Sequence, residues 1–331
     1  MWAPAVAKNV DRVAGRSRPL MASSASAAWR GVAALLLAGL AASAASAAPL
    51  TVCMAADNPP LSHQVGGQPR GLDMRIASAA AAALGRELVV LPFESTYEKD
   101  SALTHEVNAL LSSGLCEAVS GFPLLASNLG PATRATWRTP DTPGAKRKRD
   151  RPLVTLGTLS PSRAYLGAAL GVVVPGGAAP LQWLGDLGVR RMGVVSGTMA
   201  GSVAMTWRNG QLRPQLVSLT QREDVLAELA QSTGRRFDAV FLPLTLFDGW
   251  QLQHPGSTLV AAAYRRPLGI NLGFVTLEGN TAVRAALDGV ITQALADGSL
   301  ARWAAAEGAS WTPPSQPEVS RGPSLAELAA D

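Results

Sequence analysis

Very few side chains in this sequence could make or break covalent bonds. Two cysteines, Cys53 and Cys116, and three histidines, His63, His105 and His254, are scattered through 331 residues, too few and too far apart for a zinc cage. His105-Glu106-Val107-Asn108-Ala109 begins like a zinc-protease helix, but alanine stands where the second histidine must be, so the pair reads as a solvated helix face. No Gly-x-Ser-x-Gly elbow occurs, and Pro175-Gly176-Gly177 lacks the Lys-Ser/Thr that a phosphate loop requires. No metal or cofactor is expected, and the chain is not read as an enzyme. The chemistry left to it is non-covalent recognition.

The compartment follows from residues 27 to 48, AAWRGVAALLLAGLAASAASAA, an arginine-flanked apolar run that ends in small residues. It reads as a secretory leader, residues 1–47, cut after Ala47, which makes the mature protein periplasmic. Its apolar core, Val32 to Leu40, is too short to span about 30 Å of hydrocarbon, and an uncleaved anchor is the alternative. Lys8, Arg12, Arg16, Arg18 and Arg30 leave with the leader, offset by Asp11 alone, so the net charge falls by four, from +5 to +1. A nucleic-acid partner is therefore not expected. What basic bias remains lies in Lys146-Arg147-Lys148-Arg149-Asp150-Arg151, either a solvated loop or a docking patch for an acidic partner or a membrane surface. In an oxidising compartment Cys53 and Cys116, 63 positions apart (116 minus 53), are expected to be bridged. Closing that loop stabilises the fold by about 4 kcal/mol in the chain-entropy model.

The elements that position a binding site follow from hydrophobic periodicity. Leu50 to Ala55 is a buried strand ended by Asp57-Asn58-Pro59-Pro60. Asp73 stands as N-cap of a helix with Ile76, Ala80 and Leu84 on one face. Glu87 to Phe93 is a strand, Leu103, Val107, Leu110 and Leu111 mark a second helix, and Cys116 to Pro123 is a third strand. This alternation predicts a parallel sheet with right-handed crossovers. Five prolines break the pattern across an irregular insertion, 124–162. A strand from Ala164 to Val174 then leads into a second lobe, 175–264, that repeats the design with strands Arg191 to Val195, Leu216 to Leu219 and Phe237 to Leu242 and helices Met199 to Arg208 and Arg222 to Gln231. The first lobe, 48–174 and 265–312, is completed by a strand from Ile270 to Leu277 and helices Thr281 to Ala296 and Leu300 to Glu307. The Pro- and Ser-rich tail, 313–331, is expected to be mobile, with one short turn of helix near Leu325 to Ala330.

Gly71-Leu72-Asp73, Leu110 to Gly121, Gly193 to Thr198, Phe237 to Val240 and Leu295 to Leu300, in this order and spacing, resemble the periplasmic solute-binding proteins of amino-acid-type ABC transporters, over roughly residues 49 to 308. The resemblance implies an α/β, type II periplasmic binding protein fold: two lobes, each a mostly parallel sheet flanked by helices, joined by two crossing strands. It also implies a monomer that takes a small-molecule ligand in the interlobe cleft for an ABC permease. Loops at the carboxyl ends of the strands converge there, which makes Asp57, Asn58, Ser62, Gly121, Phe122, Ser196, Gly197 and Thr198 candidate ligand residues. Ser196-Gly197-Thr198 would offer free backbone N–H groups and a helix dipole to an anionic group, or simply cap a helix. Two departures matter. Amino-acid binders pair an arginine after the third strand with an acid past the "DAV" strand, whereas here Pro243 takes the acid's place and no arginine follows Pro123 at the expected distance. An ordinary α-amino acid is thus not the expected ligand. "VCMAADNPPLS" and "SSGLCEAVSGFP" are similar to accessory proteins of periplasmic quinoprotein alcohol dehydrogenases, which makes such a dehydrogenase the alternative partner.

Overall fold

A computed structural model describes residues 47–95 and 102–330. The expected leader lies outside them apart from Ala47. The chain opens with β1 (Leu50–Ala55), whose alternate side chains are apolar on both faces, as a strand covered from two sides demands. A small ribbon follows, β2 (Asp57–Asn58), β3 (Ser62–Val65) and β4 (Gln68–Arg70), then α1 (Leu72–Ala83), β5 (Leu88–Phe93), α2 (Leu103–Ser112) and β6 (Ala118–Pro123). The insertion contributes only the short pieces β7 (Gly130–Pro131), β8 (Thr136–Trp137) and β9 (Val154–Thr155). Two long strands, β10 (Thr158–Pro175) and β14 (Leu259–Leu277), enclose β11 (Met192–Val195), α3 (Met199–Thr206), β12 (Leu216–Leu219), α4 (Val225–Leu229), β13 (Ala239–Pro243) and α5 (Leu244–Gln253). Helices α6 (Thr281–Ala296), α7 (Ser299–Ala306) and α8 (Leu325–Ala329) close the chain.

Among the described residues nine strands form one curled sheet, ordered β12-β11-β13-β10-β14-β6-β1-β5, with β7 paired to β10. β1 runs parallel to β5 and β6, and β11 parallel to β12 and β13, so each half has a parallel group of its own. The antiparallel pair β10–β14 joins them, paired from Leu159–Leu277 at one end to Pro175–Leu259 at the other. Each half fills both faces of its sheet. In the first half Leu72, Ile76, Phe274, Leu287 and Ile291 lie on one side and Phe93, Leu110, Phe122 and Val275 on the other. In the second, Val194, Val203 and Phe241 face Trp207, while Val240, Leu226 and Phe237 fill the opposite side. Every such Leu, Ile or Phe contributes about 1.5–3 kcal/mol by leaving water. Cys53 on β1 is bonded to Cys116, which lies just before the neighbouring strand β6, with Cα atoms 5.7 Å apart.

Three expectations change. Asp73 does not cap α1: Gly71 is the N-cap, and the Asp73 carboxylate turns into the protein. The crossing strands are longer than predicted, beginning at Thr158 and at Leu259, because register shifts carry β10 past Pro161. The tail, expected to be mobile, is held along its length. Trp311 Nε1 donates to the Tyr165 carbonyl, and Gly167 N–H donates to the Thr312 carbonyl. Asn271, fully buried on β14, donates to the carbonyls of Ser315 and Glu318 and accepts from the Ser315 N–H. Glu318 pairs with Arg163, and Ser320 exchanges backbone bonds with Leu124 and Ala126. Past these contacts with β10 and β14, α8 places Leu328 in the core of the second half. Asn271→Ala leaves three buried backbone groups without partners, and we expect a loss of about 2–3 kcal/mol in urea unfolding, with the tail becoming protease-sensitive. An unchanged midpoint would show that the tail contributes nothing.

Candidate functional site

The carboxyl ends of β1, β5 and β6 open into a cavity of about 550 Å³. Its polar lining comes from Asp57 and Asn58 after β1, Glu94 and Ser95 after β5, and Ser120 on β6; Phe93, Leu103, Val107 and Phe122 supply apolar walls. Loops at this end of parallel strands converge because the crossovers return behind the sheet. Gly121 forms the floor. Its φ of +65° is a left-handed conformation that side chains rarely adopt, and a Cβ there would lie 3.3 Å from Asp73 Oδ2 and 3.8 Å from Asn58 Nδ2. The bare backbone thus separates the cavity from a buried carboxylate.

That carboxylate is held by the Tyr165 hydroxyl, which donates to Asp73 Oδ1 at 2.6 Å. Asp73 is wholly buried, and desolvation pushes its pKa up to about 6, with the hydroxyls of Tyr165 and Ser120 offsetting part of the rise. Burial beside Asp73 likewise drives Tyr165 well above the ordinary tyrosine range. Behind the opposite wall Glu106, expected on a solvated face of α2, is instead fully buried. Ser95 Oγ donates to it at 2.5 Å from the cavity side and Lys148 Nζ at 3.0 Å from the insertion. The pairing crosses 42 positions, so no local pattern could reveal it.

Of the residues predicted for the site, Asp57, Asn58, Gly121 and Phe122 meet in this cavity. Ser62 does not line it: the side chain is buried and its hydroxyl donates to the Ala55 carbonyl, fastening β3 to the end of β1. Ser196, Gly197 and Thr198 do not line it either. The Thr198 hydroxyl accepts from Gly201 N–H at 3.1 Å and donates to the Val195 carbonyl at 2.7 Å, which is the work of a helix cap. Glu94, Ser95 and Ser120 were not among the predicted residues, although the rule that selected Asp57 also applies to the loop after β5. The second half nonetheless reaches the rim: a Cβ on Gly249 of α5 would lie 2.5 Å from the Pro59 carbonyl oxygen, next to Asn58. Asp248, one residue earlier, accepts from the N–H and hydroxyl of Ser310, both at 2.7 Å.

No protein-family model matches the sequence, and no curated protein matches it either. Solved structures match the fold. The second substrate-binding domain of a putative amino acid ABC transporter from Streptococcus pneumoniae superposes with a TM-score of 0.56, at 15% identity, over 78% of this chain and 100% of that one. Substrate-binding domain 2 of GlnP from Lactococcus lactis, in an open conformation, gives 0.55 at 13% identity over 76% and 92%. An ancestral cyclohexadienyl dehydratase gives 0.52 at 15% identity over 78% and 92%. With its curled sheet and two crossing strands, the chain has the two-lobed type II periplasmic binding protein fold.

Asp73 links the site to pH. Its folded-state pKa lies above the ordinary aspartate value of 3.8, so its stabilising contribution is full below pH 3.8 and is lost as pH rises through about 6. Asp73→Asn removes this titration. Relative to the native chain, the variant's unfolding free energy is expected to be about 3 kcal/mol larger, that is more stable, at pH 8 than at pH 3, read from urea unfolding at both. Parallel stability curves would show that Asp73 titrates normally.

Proposed function

We propose that the mature chain is a periplasmic binding protein for a small, positively charged solute that is not an ordinary α-amino acid. The observation that carries this reading is the charge of the cavity: Asp57 and Glu94 line it, and no lysine or arginine does among the described residues. An amine would meet two carboxylates, while an α-carboxylate would meet like charge. The shared fold with substrate-binding domains of amino acid transporters supports capture and delivery to an ABC permease. Export through the predicted leader supports the compartment, and among the described residues no helix is long and apolar enough to cross a membrane.

Catalysis occurs on this fold, as the ancestral dehydratase shows for itself. Here the one strongly perturbed acid near the cavity, Asp73, lies beneath the Gly121 backbone and holds Tyr165, which favours binding over turnover. A second reading, an accessory protein of a periplasmic quinoprotein dehydrogenase, draws support from the tail fastened across both halves, which suits a rigid docking body better than a closing clamp.

The test is thermal unfolding against matched panels of primary amines, diamines and amino alcohols, and of carboxylic acids. An amine at about one hundred times its dissociation constant adds about 2.7 kcal/mol of stability. We expect a shift with amines, none with the acids, and loss of the shift in Asp57→Asn/Glu94→Gln. A response to acids alone, or to neither panel, would overturn the proposal.

A further inference from the structure

The insertion 124–162 builds a second concavity, of about 860 Å³, away from the strand ends. One wall is the β8–β9 ribbon, with Arg134 and Arg138 on either side of β8. The other is a short turn, Lys148–Asp150, flanked by Arg147 and carrying Arg149. Trp137 lies between them, with the Arg134 guanidinium 5.3 Å from its ring and the His105 ring tilted against it at 4.9 Å, and Leu153 adds an apolar edge that is 55% exposed.

Charge in this bowl is unbalanced. Arg147 and Arg149 share the single carboxylate of Asp150, at 2.9 and 3.7 Å, and Lys148 is engaged with buried Glu106. Arg138 donates to a backbone carbonyl, that of Arg151, and the Arg134 guanidinium lies over the Trp137 ring. Among the described residues five cations line the bowl, while the carboxylates that pair with them are those of Asp150 and of buried Glu106. The insertion is also anchored: Glu94 and Asp141 exchange backbone hydrogen bonds, and the Arg151 guanidinium, 6% exposed, is held by Asp141 and by the carbonyls of Thr139 and Lys146. A fixed frame holds the arginines out, so little is lost in ordering them on contact.

We propose that this bowl docks an acidic segment of a partner protein, one that carries two or three carboxylates around an apolar side chain. Guanidinium groups on two walls suit spaced carboxylates, each able to take a bidentate pair, and the Trp137–Leu153 strip between them receives the apolar side chain. The volume exceeds what a single phosphate fills. The inference does not depend on what the strand-end cavity holds.

Fluorescence anisotropy tests it with the full mature chain and a fluorescein-labelled peptide of alternating glutamate and leucine. Binding is expected to weaken as salt rises. Arg134→Glu/Arg149→Glu, at two exposed side chains, should weaken it on the order of tenfold or more, with Arg134→Ala/Arg149→Ala in between. Arg302→Glu, an equally exposed arginine on α7, should leave it within about twofold. Unchanged thermal unfolding of the variants confirms that they fold. Equal losses in the Arg302 variant would mean bulk charge alone. Displacement of the peptide by inorganic pyrophosphate at similar affinity would make the bowl a small-anion site. Bowl-dependent sedimentation with phosphatidylglycerol vesicles, without peptide binding, would make it a membrane contact. Each of these results overturns the proposal.

Discussion

The antiparallel pairing of β10 with β14 is the constraint on which the rest of the structure depends. These two strands are the shared seam of the sheet: β6, β1 and β5 extend from β14 on one side, and β13, β11 and β12 from β10 on the other. Because each crosses the whole molecule, neither half can complete its sheet without the other's segment of chain. The tail adds a second tie over the same seam through Asn271, Glu318 and Trp311, before Leu328 enters the far core. Asp248 and Ser310 add a third between α5 and the turn after α7. Relative motion of the halves must therefore strain β10 and β14 or peel the tail away.

The strand-end cavity follows from the same topology. With β1 central between β5 and β6, the three loops that leave their carboxyl ends are brought together, and Asp57, Glu94 and Ser120 become neighbours although they are far apart in sequence. Gly121 is the point of contact between recognition and core. Its backbone lines the cavity above Asp73 and Tyr165, so the floor is supported by a buried hydrogen-bonded pair. Glu106 plays a corresponding part behind the wall, where it joins Ser95 on the cavity side to Lys148 on the side of the basic bowl.

Much of the architecture was legible because it is written in short-range periodicity. β1, β12, α6 and the short final helix fall where alternation, helical spacing and the glycine stops place them. The Cys53–Cys116 bridge follows from compartment and count, and four of the eight predicted ligand residues meet in one cavity. What escaped is non-local. Pro161 reads as part of the interruption before Ala164, yet register shifts carry β10 past it, and β14 begins at Leu259 rather than at Ile270. The tail's Pro/Ser composition signals mobility because its partners, Asn271 and Arg163, lie 44 and 155 positions away on the two crossing strands. α5 was missed because a proline precedes it and a glycine interrupts it, and it is held by Phe247 in the core and by contacts with Pro59 and Ser310 that lie far off in sequence.

The central claim is that an amine is gripped where β1, β5 and β6 end. A crystal structure of the mature chain grown with its tightest-binding amine tests this most directly. The account predicts the ligand nitrogen within hydrogen-bond reach of the Asp57 and Glu94 carboxylates, above the Gly121 floor. Density for the amine at the Ser196–Thr198 turn instead, or an empty strand-end cavity at saturating amine, would contradict it.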